Sequence, residues 1–266
     1  MITLYHNDMS VCAQKVRMIL AHKGLDWESQ HLNLREGDQH KPAFRKINPK
    51  GLVPVLVDNN DVVLESSVIV EYLEDTYPDM PIMPINNYEK AVARRWMIRL
   101  DAGLHAHVAT ISFCCAFKYQ LLSKYSTQSE LEAFLDKIPD VERAALLRDT
   151  LQNNTLDSQR LQFAVAAYAK LLTDMSEALK GNNWLVGSNI NAVDYSFIPY
   201  LDRLEQLGLK EWWQSSPEIG QWLNRVRDTV AYKKGIGEWM NAKYLGLMAI
   251  NADSSWQTIS TLLQRP

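Results

Sequence analysis

Hydrophobic positions recur at two spacings in this 266-residue chain, and the change from one to the other divides it. Near the start, "ITLY" (2–5) is a short apolar run that reads as a strand. Residues 11–23 carry Val11, Lys15, Met18, Ile19 and His22 at helical spacing, and Gly24 supplies a stop. "WESQHLNL" (27–34) alternates weakly, as a second strand would, and "HKPAFRKI" (40–47) suits a short helix that Asn48-Pro49 ends. "VPVLV" (53–57) and "VVL" (62–64) flank the turn cluster "DNND" (58–61), which predicts a hairpin. "SSVIVEYLEDTY" (66–77) returns to helical spacing at Ile69, Leu73 and Tyr77, with Ser66 as its cap. The order βαβ, short helix, ββα predicts a small α/β domain with a mixed sheet over residues 1–80.

"PDMPIMPINN" (78–87) is punctuated by proline, and 81–87 is the expected linker. Beyond it the periods are nearly all helical. Residues 88–122 form a long helical stretch rich in large side chains. Residues 123–160 are polar and read as shorter helices, broken at Pro139 and at "QNN" (152–154). "SQRLQFAVAAYAKLLTDMSEALK" (158–180) is strongly amphipathic. "NAVDYSFIPYLDRLEQLG" (191–208) opens with Asn191 and Asp194, the arrangement of a capping box with Asp in place of Glu or Gln. Helices are also expected over 217–229 and 231–245, and the tail 246–266 either packs on the helical domain or covers a site. The fold class is therefore two-domain, with an α/β domain followed by an all-α bundle over 88–266.

At 47% hydrophobic and 22% charged residues, the composition is that of a globular protein and not of a disordered one. A net charge of −3 offers no basic footprint for nucleic acid. The apolar runs are short and broken, so no membrane span is expected, and the first residues show no secretory pattern, which predicts a cytoplasmic protein. The three cysteines, Cys12 and the adjacent Cys114 and Cys115, form no disulfide framework and read as reduced thiols. No Cys/His cluster has metal-ligand spacing; His105 and His107, two apart on a helix, point to different sides. No metal is expected.

Three short stretches carry candidate chemistry. In "YHNDMSVCAQKVRMIL" (5–20), Ser10 and Cys12 stand where a strand turns into a helix. The first N–H groups of a helix lack intrahelical partners and carry the positive end of its dipole, so an anion such as a thiolate is stabilised there. Ser10 could donate to a thiolate and Cys12 could become one; equally, Ser10 could cap the helix and Cys12 fill the core. In "NPKGLVPVLV" (48–57), Pro54 opens a strand and is a candidate for a cis bond, which would leave the Val53 backbone to pair with an extended peptide. In "ESS" (65–67), Ser66 at a helix N-terminus suits a carboxylate and Glu65 an ammonium group, the two ends of an α-amino acid; a capping serine and a solvated glutamate are the plain reading.

A thiol site, a peptide-pairing strand and a grip for an amino-acid head are together what a γ-glutamyl-cysteinyl-glycine peptide needs. The ordered series of first strand, "NP…VP", "ES…YLE" and "NAVD" resembles the cytosolic glutathione S-transferase superfamily over most of the chain. The resemblance implies a thioredoxin-like N-terminal domain, an all-helical second domain and glutathione as co-substrate. By the same resemblance, Ser10 activates the glutathione sulfur, Val53 pairs with the cysteinyl part beside cis-Pro54, and Glu65 and Ser66 hold the γ-glutamyl end. "GDQHKPAF" is similar to a theta-class stretch and nominates His40 for the glycyl end. Leu52 departs from the pattern, where a basic or polar residue is usual, which leaves Lys50 for the glycyl carboxylate or that end loosely held.

"MSVC" resembles zeta-like isomerases and the bacterial reductive dehalogenases of chlorinated hydroquinones, in which the cysteine becomes glutathionylated. The polar insert 123–160 is similar to that group and to bacterial β-aryl etherases. These likenesses imply a detoxifying homodimer acting on a hydrophobic, aromatic electrophile, lined by the turn after the first strand and by "LHAHVATISFCCAFKY" (104–119). Cys114 and Cys115 read as buried core thiols. Two alternatives stand beside this reading: a Cys12-based thiol transferase or dehalogenase, and a binding or assembly module of the same fold without turnover.

Overall fold

The computed structural model describes residues 1–136, 138, 141–152 and 155–264; the breaks expected at Pro139 and at Asn153-Asn154 lie outside them. Four strands form one mixed sheet in the order β2-β1-β3-β4. They are β1 (Ile2–His6), β2 (Trp27–His31), β3 (Val55–Asp58) and β4 (Asp61–Leu64). β1 pairs parallel with β2 and antiparallel with β3, and β3 pairs antiparallel with β4. Tyr5 stands opposite Val55, and Val55 opposite Leu64. The chain therefore leaves β1, enters β3 and leaves β4 at the same end of the sheet. β2 is shorter than its weak alternation suggests, because it is an edge strand with four of its five residues exposed.

Around the sheet run α1 (Val11–His22), α2 (Pro42–Ile47), α3 (Ser66–Thr76) and α4 (Asn87–Arg99). α1 buries Val11 and every residue from Ala13 to Leu20, among them Lys15 and Arg17. The N-cap of α3 is Glu65, not the expected Ser66, which occupies the first helical position and is buried. Glu65 has φ 65°, a left-handed backbone that costs a non-glycine residue free energy and is found chiefly where a site requires it.

The long helical stretch runs to residue 122, but as α4, α5 (His105–Ser112) and α6 (Lys118–Leu122) joined through π-helical segments at 100–104 and 113–117. Gly103, at φ 148°, interrupts the first of these. By length and composition alone, 87–122 could span a membrane, yet half of its apolar window is buried inside the fold, as in a core helix. α7 (Gln128–Leu135), α8 (Val141–Gln152) and α9 (Gln159–Leu179) follow. α10 (Ala192–Gln206) meets the expected capping box in one half: Asp194 Oδ2 accepts from Asn191 N at 3.1 Å, while Asn191 Oδ1 accepts at 3.0 Å from Val193 N, the second helical position and not the third. Then come α11 (Pro217–Arg227), α12 (Val230–Gly235), α13 (Ala242–Ala249) and α14 (Ala252–Leu263). The single helix expected over 231–245 is broken after Gly235, and a short 3-10 turn at Gly237–Trp239 intervenes.

Contacts gather residues 1–99, 178–200 and 218–241 into one compact unit, and 100–177, 201–217 and 242–266 into a second. In the first, α1 packs on α3 and α12, over a core that includes Leu4, Ile19, Leu56 and Ile69. Among the described residues the second holds helices and no strand, and the tail to residue 264 belongs to it. Ser255 Oγ of α14 donates to the Cys115 carbonyl at 3.4 Å, and Gly208 leaves room for Ala252, whose Cβ a side chain there would meet at 2.4 Å.

Candidate functional site

The three stretches singled out in the sequence are the three connections at one end of the sheet. The turn after β1 is built from its own side chains: Asn7 Oδ1 and Asp8 Oδ1 both accept from Met9 N, at 3.0 and 2.9 Å. Ser10, half-buried, is the N-cap of α1, and its Oγ accepts from Ala13 N at 3.3 Å. The cap uses the hydroxyl oxygen as acceptor, so its proton is left to donate to a group outside the helix. Capping and thiol activation are thus compatible uses of one side chain. Cys12 lies in the first turn of α1, half-buried, with Sγ 3.7 Å from the Tyr200 hydroxyl of α10.

The loop before β3 is shaped by Asn48, which is buried. Its Nδ2 donates to the Leu52 carbonyl at 2.9 Å and its Oδ1 accepts from Lys50 N at 3.0 Å. Gly51, at φ 66°, lies against the Gln39 carbonyl; a Cβ there would be 2.8 Å from it. The Val53–Pro54 bond is cis, as the strand-opening proline suggests, and Pro54 is buried while Leu52 is exposed. At the start of α3, Lys15 Nζ donates to Ser67 Oγ at 3.1 Å, tying α1 to the ESS turn. Lys50 Nζ lies 2.8 Å from Glu65 Oε1, and this carboxylate raises the lysine pKa. His40 is exposed on a short 3-10 turn, 3.3 Å from Gln39 Nε2. No described hydrogen bond or ion pair links it to the sheet end.

Beneath the Ser10 turn lies a cluster that the sequence pattern does not announce. Arg17 is buried, and its guanidinium donates to the carbonyls of Gly235 at 2.7 Å, Asn7 at 2.9 Å and Asp8 at 3.1 Å. It also donates to His6 Nδ1 at 3.1 Å and sits 5.2 Å from the Trp239 ring centroid, a cation–π distance. Burial, with the cation beside it, pushes His6 down to about 3. His6 is therefore neutral, accepts at Nδ1, and places its ring proton on Nε2 toward Ser29 Oγ at 2.8 Å. Burial lowers Arg17 to about 9, which leaves it cationic at neutral pH. Asn241 Nδ2 donates to Asp8 Oδ2 at 3.0 Å from the segment that follows Trp239. One sequence signal is present, since Lys15 and Arg17 are bases in the largely apolar first three turns of α1; which charges are buried there depends on α12, more than 200 residues away.

Cys114 and Cys115 are buried, and burial pushes their thiols up to about 12 and about 11. Among the described residues no group of His, Cys, Asp and Glu has the makings of a metal site.

The family model for the glutathione S-transferase N-terminal domain matches residues 9–76, and that for the C-terminal domain matches residues 157–228. The chain belongs to the glutathione S-transferase family. Among its relatives, glutathione S-transferase Z1 of Arabidopsis thaliana is 42% identical over 106 residues, 40% of this chain and 48% of the relative. The chain thus matches about half the length of such zeta-class relatives. Glutathione S-transferase TCHQD of Arabidopsis thaliana is 27% identical over 252 residues, 92% of this chain and 94% of that one. The crystal structure of β-etherase LigF from Sphingobium superposes with a TM-score of 0.78 at 25% identity, covering 89% of this transferase-family chain and 99% of that one.

Proposed function

We propose that this family member is a glutathione transferase that holds glutathione across the three turns at one end of its sheet. The observation that carries the reading is the register Tyr5–Val55–Leu64, which brings the Ser10, Val53-Pro54 and Glu65-Ser66 turns to one place. Val53 offers backbone to the cysteinyl unit beside Pro54. Glu65 and Ser66 take the γ-glutamyl ammonium and carboxylate; Lys50 takes the glycyl carboxylate, with His40 the other nominee for that end. The dipole of α1 and the Ser10 hydroxyl lower the thiol pKa, so that a thiolate exists at neutral pH. The thiolate then forms a C–S bond to a hydrophobic, aromatic electrophile, and the leaving group departs with its bonding pair. The β-etherase name of LigF and the likeness to TCHQD support that substrate class. The reading includes the division at the 81–87 linker, a cytoplasmic detoxifying role and a homodimer, the last supported by exposed apolar side chains on consecutive helices, Val68 on α3 and Tyr88 and Ile98 on α4.

The test is the ultraviolet difference spectrum of bound glutathione against pH, for the parent and for Ser10→Ala. A thiolate band at neutral pH that moves to higher pH in Ser10→Ala is the expected result. A parent that binds glutathione with no such band removes the serine mechanism, and a parent not retained on immobilised glutathione favours a binding or assembly module.

A second reading rests on a specific observation: Cys12 Sγ lies beside the Tyr200 hydroxyl in the first turn of α1. In that version the Cys12 thiolate attacks the sulfur of a glutathionyl–substrate adduct; the C–S bond breaks, the substrate carbon leaves with the bonding pair and takes up a proton, and a second glutathione thiolate releases Cys12 from the mixed disulfide as glutathione disulfide. A Cys12→Ala enzyme that is inactive, with Ser10→Ala fully active, would select it.

A further inference from the structure

Each peptide carbonyl of the turn that leads to Ser10 has to find a donor, because the turn is buried from His6 to Asp8. Two successive ones, Asn7 and Asp8, share a donor, the Arg17 guanidinium, beside Ser10 N at 3.4 Å on the first and Gln14 Nε2 at 3.2 Å on the second, and a third arm of the fork reaches the Gly235 carbonyl. The opposite faces of these peptides are also engaged: Asp8 N donates to His31 Nε2 at 3.3 Å, and Met9 N to the Asn7 and Asp8 side chains. The turn is therefore held from both faces, and Arg17 is its inner anchor. Trp239 covers the guanidinium, stacks on Trp27 at 5.8 Å and meets the His6 ring edge-on at 4.6 Å. Just beyond Trp239, Asn241 holds the Asp8 carboxylate. The segment 235–241 is thus bound to the Ser10 turn through one buried cation. That cation lies within 3.1 Å of the Asn7 and Asp8 carbonyls, just before the start of α1, in a low-dielectric interior where its field favours an anion at the helix start.

We propose that Arg17 is the positioning residue for thiol activation: by holding the carbonyls of Asn7, Asp8 and Gly235 under Trp239, it fixes the turn that presents Ser10. The inference rests on the reading of Ser10 as the group that stabilises the glutathione thiolate. Arg17 does not touch glutathione; it sets where the Ser10 hydroxyl and the first N–H groups of α1 point. An error of about 1 Å in such a placement is enough to cost much of a rate. Lysine has the charge without the planar fork, so it can satisfy these carbonyls only in part.

The experiment compares the parent with Arg17→Gln, Arg17→Lys and Trp239→Leu, each first checked for the parent's circular-dichroism spectrum. Two quantities are read: the dissociation constant of glutathione by calorimetry, and the pH midpoint of the bound thiolate band. In Arg17→Gln the midpoint rises so that the thiolate fraction at neutral pH falls about ten-fold, while the dissociation constant stays within about three-fold of the parent's. Arg17→Lys recovers part of the shift, and Trp239→Leu shows a smaller shift of the same sign. A midpoint equal to the parent's in folded Arg17→Gln overturns the proposal while leaving the role of Ser10 standing. Loss of glutathione binding with Arg17→Gln also overturns it, since Arg17 would then be needed for the site to exist and not for its tuning. If neither Arg17 variant folds, Trp239→Leu decides, and an unchanged midpoint there overturns the proposal. A parent without a thiolate band removes the underlying reading and this inference with it.

Discussion

Lys50 Nζ and Glu65 Oε1 stand 2.8 Å apart, joining the loop before β3 to the turn after β4. Both side chains are exposed, at 67% and 60%, so solvent and salt screen the pair and it adds little to folding. Its interest is as a placeholder. A bound γ-glutamyl ammonium would take over Glu65, and Lys50 would be released to a glycyl carboxylate. Lys50→Ala is expected to leave the urea midpoint unchanged and to weaken glutathione binding by about five-fold, as loss of one partly solvated charge-assisted contact should. Calorimetry checks this, and binding as tight as the parent's would remove Lys50 from the site.

Gly235 is where α12 meets α1. A Cβ there would lie 2.6 Å from Met18 N and 2.8 Å from Met18 Cα, backbone atoms that cannot turn aside. Gly235→Ala is expected to cost about 3 kcal/mol of stability, the upper range for overpacking. Gly246 is the control, since it lies within α13 with open space where a Cβ would point. Gly246→Ala should raise stability by about 0.5–1 kcal/mol through helix propensity. Urea unfolding of the two variants distinguishes the close approach from a general sensitivity of helical glycines.

Asp194 is fully buried and accepts from Leu185 N at 3.1 Å, Asn191 N at 3.1 Å and Trp222 Nε1 at 2.7 Å. Asp194→Ala leaves three buried donors unpaired and is expected to cost about 3–5 kcal/mol. Asn191→Ala removes the cap bond and also the donation of Nδ2 to the Val186 and Asn189 carbonyls at 2.7 and 3.1 Å, and should cost about 2 kcal/mol. Comparable losses from the two, by urea titration, would show that the network around Asp194 is not worth more than the cap.

The parts of this architecture legible in the sequence are those set by neighbours along the chain. Strand and helix periods, the Asn191–Asp194 box and the strand-opening Pro54 are local patterns, and they place the sheet and three turns of the site. The register Tyr5–Val55–Leu64 is not legible, because pairing of residues fifty apart leaves no mark in either segment. Nor is the Arg17 cluster, since its partners span His6 to Trp239. Local pattern makes Ser66 the cap of α3, but the cap position goes to Glu65: an extended cap residue there is displaced by a left-handed one, which no propensity at Glu65 announces.

The three thiols should separate cleanly by reactivity. Cys114 and Cys115 are buried with thiols pushed up to about 12 and about 11, so almost none of either is thiolate at neutral pH. Cys12 is half-buried at a helix N-terminus. A disulfide reagent such as dithionitrobenzoate is expected to modify Cys12 in the native protein and all three cysteines after denaturation. Cys12→Ala should abolish the native reaction. Rapid native labelling of that variant would show that the helical unit opens far more readily than its buried thiols imply.

His6 gives the fold a pH dependence whose sign follows from its environment. It is held at about 3, below its ordinary value of 6.5, by burial first and by the Arg17 cation second. Between these two values the unfolded chain binds a proton that the folded chain refuses. The stabilisation is therefore complete above pH 6.5 and is lost as pH falls toward 3, with a slope of up to about 1.4 kcal/mol per pH unit. The expected signature is a difference measurement. His6→Gln keeps a polar partner for Arg17 but cannot be protonated, so the parent's stability relative to this variant should shrink steadily as pH is lowered from about 6.5 to about 5. Urea unfolding at several pH values measures it. A difference that does not change with pH would mean that His6 takes up a proton as readily in the folded protein as in the unfolded chain, and that below about pH 6.5 Arg17 holds the Ser10 turn beside a second cation.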